Sequence, residues 1–276
     1  MGSWEPFERW ENFVQDLGMF EAAVHPPVEP PVLPRLQRLL LAADGSATEP
    51  FAQALAEELC RRHGCSLHTV RGVQTAPALI SAWTHQQADV LIIPVPYGGS
   101  DPGMRGESLG IVIDRLLVER PGPMLCVPVD QPLTLASAFC QRILLPLTPA
   151  DTQVPTLIAW AFRLLQPGDR LDILGLIDQE GYQRAVPAGS VAEAELVRGF
   201  QRQIAGWVSL AQHHGWREGE QVHVEFRVGK LVEAVRHLLT GVTSLVLMGS
   251  GREATSAVDH AVRSMLLGWG SPVWVV

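Results

Sequence analysis

Two stretches decide the fold: Ala88-Asp89-Val90-Leu91-Ile92-Ile93 and, later in the chain, Thr243-Ser244-Leu245-Val246-Leu247-Met248. Each contains a short, uninterrupted apolar run, which is typical of a strand buried on both faces of a parallel sheet. Around each stretch, further apolar runs alternate with segments that repeat apolar residues at helical spacing. The sequence therefore predicts an α/β fold with open parallel sheets covered by helices.

The flanking strands repeat in the same order. Gln37-Arg38-Leu39-Leu40-Leu41 matches Gln141-Arg142-Ile143-Leu144-Leu145, and Pro123-Met124-Leu125-Cys126-Val127 matches Pro272-Val273-Trp274-Val275-Val276. After the first matched pair the offset between the copies grows by about fifty residues. We therefore predict two tandem domains, of which the first is a shortened copy that lacks one helix and one strand.

Composition excludes several classes of function. The 276 residues carry a net charge of −8 and are 47% hydrophobic, so a packed core is expected and a nucleic-acid surface is not. No apolar run reaches the ~18 residues that a membrane span needs. The first residues lack the basic and apolar regions of a signal peptide, so we expect a cytoplasmic protein.

The first 36 residues differ from the rest of the chain. Apolar residues recur there at helical spacing, and a proline-rich spacer follows at 26–34. Either this aromatic helix packs on the globular body, or it docks a partner protein. Its polar face is acidic, which argues against binding to an anionic membrane. The stripe consists of Trp4, Phe7, Trp10, Phe13, Val14, Leu17 and Phe20.

The four cysteines show no secreted disulfide framework, and we expect reduced thiols. Cys60-x-x-His63-x-Cys65-x-x-His68 has the composition of a metal site. Cys60 and His63, however, end a helical pattern, whereas Cys65 and His68 begin a strand. Ligands of a zinc ion must converge on one tetrahedron, so we expect no metal here.

The residues from 37 onward resemble the universal stress protein family (UspA-like) in its tandem form. The resemblance rests on the first strand ending in Asp44-Gly45-Ser46, on the two strands quoted above, on the glycine turn at 249–251 and on the closing 271–276. It covers residues 37–276 and implies a shortened Rossmann-like (HUP-like) domain at 37–130 and a full one at 138–276, whereas the N-terminal helical arm at 1–36 lies outside the resemblance. It also implies a pseudo-dimer within one chain, in which strands 124–128 and 272–276 pair antiparallel.

The resemblance further implies a nucleotide site, because ATP-binding members use an Asp after the first strand and a loop of pattern Gly-x-x-Gly-x9-Gly-Ser/Thr. The first domain keeps part of this pattern, although Ile111 stands where Ser or Thr is usual and the spacing before the last glycine is three residues rather than nine. Either this loop binds phosphates, with Arg105 as a charge-assisted donor, or it is a glycine-rich connection without a ligand. The candidate binding residues are Asp44, Gly98, Gly99, Gly103, Arg105, Gly106 and Gly110.

The second domain departs further from the pattern. Thr148 replaces the Asp, and Asp259-His260 stands where the last Gly-Ser is expected. A carboxylate at that place would repel phosphate, so we expect no ordinary ATP binding in the second domain.

No nucleophile–base motif, phosphate-binding Walker loop or metalloprotease motif is present, so we do not expect an enzyme. The first hypothesis is a stress or signalling protein that binds ATP or AMP through its first domain. The second is a nucleotide-free adaptor that docks a partner through the arm or a sheet surface. A flavin or other nucleotide carrier is a third hypothesis. A further homodimer remains open in each case.

Overall fold

A computed structural model describes residues 32–73, 75–95, 97, 110–119, 121–128, 131–148, 153–177, 191–213, 221–239, 243–249, 266 and 270–276. The predicted N-terminal helix lies outside these residues. In chain order the elements are β1 (Arg38–Ala43), α1 (Glu49–His63), β2 (Ser66–Arg71), α2 (Ala76–Gln86), β3 (Val90–Pro94), α3 (Ile111–Glu119), β4 (Met124–Val127), a 3₁₀ turn (Leu133–Leu135), α4 (Ala136–Gln141), β5 (Arg142–Leu147), α5 (Val154–Leu164), β6 (Arg170–Ile177), α6 (Val191–His213), β7 (Val222–Val228), α7 (Leu231–Leu239), β8 (Leu245–Met248) and β9 (Val273–Val275).

The described strands form one nine-stranded sheet in the order β2-β1-β3-β4-β9-β8-β5-β6-β7. Neighbouring strands run parallel except at the centre, where β4 and β9 pair antiparallel with Met124 opposite Val275. This confirms the predicted α/β fold and the predicted pairing of the two closing strands. The pairing leaves neither of these apolar strands with an open edge.

The two halves of the sheet show the same strand order outward from the centre. The first half runs β4-β3-β1-β2, and the second runs β9-β8-β5-β6 before it adds β7 at the outer edge. Among the described residues, α2 lies between β2 and β3, whereas α6, β7 and α7 lie between β6 and β8. In this part of the chain the second half thus has one helix and one strand more than the first at this place, and the interpretation of the halves as tandem copies stays a prediction. The domain boundaries 1–36, 37–130 and 138–276 stay a prediction.

Successive residues of each strand point to opposite faces, and each face carries its own core. On one face Leu39 and Ile92 lie beneath α1, α4, α5 and α6. On the other face Leu40 and Leu91 lie beneath α2, α3 and α7. The first core is continuous across both halves, because α1 packs on α4 and its Phe51 ring contacts Phe139 edge-on at 5.8 Å between centroids. Apolar burial therefore holds the halves together in addition to the β4–β9 pairing.

Local sequence explains where the helices begin and end. Helices α1, α2 and α5 each carry a proline in their first turn, where the missing N–H costs nothing. Helix α1 ends at Gly64, whose φ of 68° is left-handed and suits glycine. Helix α4, which leads directly into β5, is not predicted by the sequence pattern. None of the helices in the described residues combines the length and apolar character needed to cross a membrane.

Candidate functional site

The carboxyl ends of β1, β2 and β3 meet at one edge of the first half, because these strands run parallel. Open α/β sheets bind their ligands at this edge. Five described residues with polar side chains lie there or directly follow these strands, and we call them the first-half edge site. They are Asp44, Ser46, Glu49, Arg71 and Tyr97.

Asp44 stands where the chain leaves β1, and it organises the turn into α1. Its Oδ1 accepts a hydrogen bond from the backbone N–H of Ser46 at 3.0 Å. Gly45 between them has a φ of 76°, a conformation that glycine adopts at no steric cost. The predicted turn at Asp44-Gly45-Ser46 is thus confirmed. Ser46 Oγ is buried and has no hydrogen-bond partner among the described residues.

Glu49 is a member of the site that sequence analysis missed. It lies in the first turn of α1, it is buried, and its Oε2 accepts a hydrogen bond from the Gly45 N–H at 2.6 Å. Its Oε1 lies 3.1 Å from a guanidinium nitrogen of Arg71, at the end of β2. The Arg71 side chain is largely exposed, so this ion pair opens to solvent.

Tyr97 was also missed. Its ring is buried and its hydroxyl donates to the carbonyl of Val73 at 2.7 Å. Burial raises the pKa of Tyr97 to about 12, and the negative charges of Asp44 and Glu49 act in the same direction. This electrostatic influence indicates that Tyr97 shares the neighbourhood of the two carboxylates. Tyr97 lies in a segment without helical or strand periodicity, so the sequence does not indicate that its phenol belongs to the site.

Of the predicted binding residues, the structure describes Asp44 and Gly110. Gly110 directly precedes α3, with its carbonyl accepting from the Asp114 N–H at 2.9 Å. Its φ of 99° favours glycine, and a Cβ added there would lie 3.9 Å from the carbonyl oxygen of Tyr97. The backbone of Tyr97 thus lies near Gly110, and its phenol is influenced by the charge of Asp44. The remaining candidates lie outside the described residues: Gly98, Gly99, Gly103, Arg105 and Gly106.

The chemistry of the described residues fits the nucleoside part of a nucleotide better than its phosphates. Carboxylates such as Asp44 and Glu49 accept hydrogen bonds from hydroxyl and amino groups, which ribose and adenine offer. Ser46 Oγ, which has no hydrogen-bond partner among the described residues, adds a donor and acceptor. Phosphates need cations and backbone N–H groups, so they would rely on Arg105 and the glycines that accompany it.

The corresponding edge of the second half is different. Thr148 follows β5, so no carboxylate stands at the position equivalent to Asp44. Gly249 follows β8, and a Cβ added there would lie only 2.9 Å from Cδ1 of Leu157, a fully buried residue of α5. The space above this glycine is thus taken by an apolar side chain. Asp259 and His260 lie outside the described residues.

The cysteine–histidine segment does not converge on one point. Cys60 Sγ and Cys65 Sγ lie 3.0 Å apart, whereas His63 Nδ1 contacts the side-chain amide of Gln166 at 3.2 Å. His68 is exposed on β2. Among the described residues, no group of three or more His, Cys, Asp or Glu side chains is arranged to hold a metal ion.

Comparison with known proteins gives a likeness of fold. No family model matches the sequence, and no curated protein matches it. A universal stress protein from Archaeoglobus fulgidus DSM 4304 is 14% identical, with 87% of this chain and 96% of that chain covered and a TM-score of 0.55. A putative universal stress protein from Pseudomonas aeruginosa UCBPP-PA14 is 16% identical, with 87% and 81% covered and a TM-score of 0.50. The chain therefore shares the fold of these proteins.

Proposed function

Because the chain has the fold of universal stress proteins, we propose that it is a cytoplasmic stress or signalling protein of that kind. It binds an adenine nucleotide, ATP or AMP, at the first-half edge site. The observation that carries the proposal is the arrangement around Asp44: a carboxylate at the end of a buried strand, beside a buried Glu49 and a Ser46 hydroxyl without a hydrogen-bond partner in the described part of the chain. No catalytic step forms part of the proposal.

The proposed roles follow from donor and acceptor chemistry. Asp44 accepts hydrogen bonds from the adenosine part, and Ser46 Oγ offers a further contact beside it. Glu49 holds the backbone of Gly45 and so keeps the turn in shape. Arg105, together with the glycines between 98 and 110, faces the phosphates in this proposal. The second half takes no part, because Leu157 covers Gly249 and Thr148 supplies no carboxylate.

The test is whether nucleotide raises the stability of the native protein. Small molecules released from freshly purified protein are identified by mass spectrometry, and the melting temperature is then measured with millimolar ATP, AMP and adenosine. Ligand at a hundred times its dissociation constant stabilises by about 2.7 kcal/mol, which a melting curve resolves easily. An unchanged melting temperature with all three ligands, and no nucleotide released, would contradict the proposal.

A matched pair of variants localises the effect. Asp44→Asn keeps an oxygen that accepts from the Ser46 N–H but removes the charge, so we expect the turn to survive and the affinity to fall at least about tenfold. Thr148→Ala alters the equivalent position of the second half and should leave the nucleotide effect unchanged. The reverse result, with Thr148→Ala alone losing the effect, would assign the site to the other half.

A second candidate function is a nucleotide-free adaptor. One observation favours it: Ile111 and Val118 are 80% and 75% exposed and lie two turns apart on the same face of α3, which presents apolar surface to solvent. A partner could bind there or on the N-terminal aromatic segment.

Removal of residues 1–35 and the double change Ile111→Ser, Val118→Ser distinguish the two surfaces. Loss of a partner with the shortened chain, at unchanged melting temperature, would favour the arm. Loss of the partner with the α3 variant alone would favour the exposed face of α3 as the binding surface. Aggregation of the shortened chain would instead make the arm part of the core.

A further inference from the structure

We propose that Cys60 and Cys65 form a peroxide-reactive dithiol that closes to an intramolecular disulfide. Neither the fold likeness nor the nucleotide proposal assigns a role to these residues. The two sulfurs lie 3.0 Å apart, and both side chains are only partly buried, so a small oxidant can reach them. The other two cysteines, Cys126 and Cys140, are buried in the cores.

The backbone builds this pair. Cys60 lies in the last turn of α1 and Cys65 lies just before β2, with the left-handed Gly64 between them. The N–H groups of Gly64 and Cys65 both donate to the carbonyl of Cys60, at 2.8 and 3.2 Å. This double capping bond folds the chain back on the helix and brings the second cysteine over the first.

Both sides of the turn are held in place. The backbone N–H of Ser66, next to Cys65, donates to the carbonyl of Gln37 at 2.8 Å and so ties the segment to β1. On the helix side, Arg62 forms a buried ion pair with Asp169. These contacts fix the backbone on both sides of the cysteine pair.

The surroundings give the two thiols different reactivity. The hydrogen bond with Cys60 lowers the pKa of Cys65, against the opposing effect of burial, and the positive charge of Arg163 acts in the same direction. The same hydrogen bond, together with burial, raises the pKa of Cys60. Cys60 lies in the last turn of α1, where the negative end of the helix dipole disfavours a thiolate, so we assign the first attack to Cys65 and the resolving step to Cys60.

The reaction balances with one hydroperoxide. The Cys65 thiolate attacks an oxygen of hydrogen peroxide, an S–O bond forms, the O–O bond breaks, and the departing hydroxide takes a proton to become water. Cys60 then loses its proton and attacks the Cys65 sulfur; the S–S bond forms, the S–O bond breaks, and a second water leaves. The two sulfurs together give up two electrons, which the peroxide receives.

The positions of the arginines allow the proposed disulfide to be detected by tryptic digestion. Arg61 and Arg62 lie between the two cysteines, so trypsin separates them into the peptides 39–61 and 63–71. The full-length protein is treated with hydrogen peroxide under native conditions, free thiols are alkylated after unfolding, and the digest is analysed by mass spectrometry. We expect the two peptides joined, lighter by two hydrogen atoms than their sum and separated by a reductant. Cys126 and Cys140 should be alkylated as in the untreated protein.

Two variants test the order of the steps. With Cys60→Ser, dimedone should trap a sulfenic acid on Cys65; with Cys65→Ser, residue 60 should give no adduct. Peroxide treatment of mixed isotope-labelled and unlabelled protein should yield no peptide pair of mixed label, since the bond lies within one chain. Failure to obtain the joined peptides, a pair of mixed label, or trapping on Cys60 rather than Cys65 would overturn the proposal.

Discussion

The guanidinium of Arg62 donates to the carboxylate of Asp169, a residue 107 positions later in the chain. Arg62 lies in the last turn of α1, and Asp169 directly precedes β6, so the pair joins the first half of the sheet to the second. The side chains are only 8% and 4% exposed. A charge so well buried depends on its partner, because water cannot replace it.

Loss of one member of this pair should therefore be costly. We expect Asp169→Ala to lower the free energy of unfolding by about 3–5 kcal/mol, since it leaves the Arg62 charge buried without its partner. Equilibrium unfolding in urea measures the change. The exposed pair between Arg115 and Glu119 is the matched control, and Glu119→Gln should cost less than about 1 kcal/mol. Equal effects of the two variants would contradict the importance of burial.

Substitution by alanine should change the stability of the protein in opposite directions at two glycines. Gly64 has a φ of 68°, so Gly64→Ala should destabilise the protein by about 1 kcal/mol although nothing obstructs the new methyl group. Gly199 lies inside α6 with open space around it, so Gly199→Ala should stabilise by about 0.5–1 kcal/mol. Thermal melting of both variants is the measurement, and destabilisation by Gly199→Ala would refute the argument.

Gly249 serves packing rather than phosphate binding in our interpretation. Gly249→Ala would bring a methyl group to 2.9 Å from Leu157, and we expect a loss of about 1–3 kcal/mol from overpacking. Leu157→Ala alone creates a cavity and should cost about 2–5 kcal/mol. If the contact causes the damage, the double variant should lose less than the sum of the two, as a double-mutant cycle reveals. Additive losses would count against a steric origin.

Because of Tyr97, we expect the stability of the folded protein to depend on pH in the alkaline range. Its pKa rises from 10.0 to about 12 on folding, so the native state keeps the phenol proton that the unfolded chain releases. This contribution to stability is complete below pH 10 and is lost as the pH rises to about 12. We expect Tyr97→Phe to flatten the fall in stability over that range. A Tyr182→Phe background leaves Tyr97 as the single tyrosine, and its phenolate absorbance should then appear late in the titration.

Periodic patterns predicted the elements that surround the site. Leu39 to Leu41 and Val90 to Ile93 are apolar without interruption, because strands buried on both faces exclude polar residues. That pattern located β1 and β3, and thus the carboxyl edge at which Asp44 stands. Helix α4 escaped prediction because it is only six residues long, shorter than two helical turns.

The composition of the site could not be predicted in the same way. Arg71 lies 22 residues after Glu49 and faces it only because β2 runs beside β1 and places its end at the same edge. Tyr97 follows β3 and comes under the influence of Asp44 for the same reason. Such partners depend on strand order, which a local pattern does not encode.

The amino-acid sequence by itself determined the strands, because they follow from runs of apolar residues, whose burial is a local and periodic requirement. The antiparallel pairing of β4 with β9 is implied by the resemblance to universal stress proteins rather than by the apolar pattern. Only the tertiary structure decided that Arg62 meets Asp169, that Leu157 covers Gly249, and that the sulfurs of Cys60 and Cys65 touch. Each of these contacts depends on how a helix packs or how a turn folds back. Such contacts between side chains form only when the chain has brought the elements that carry them together.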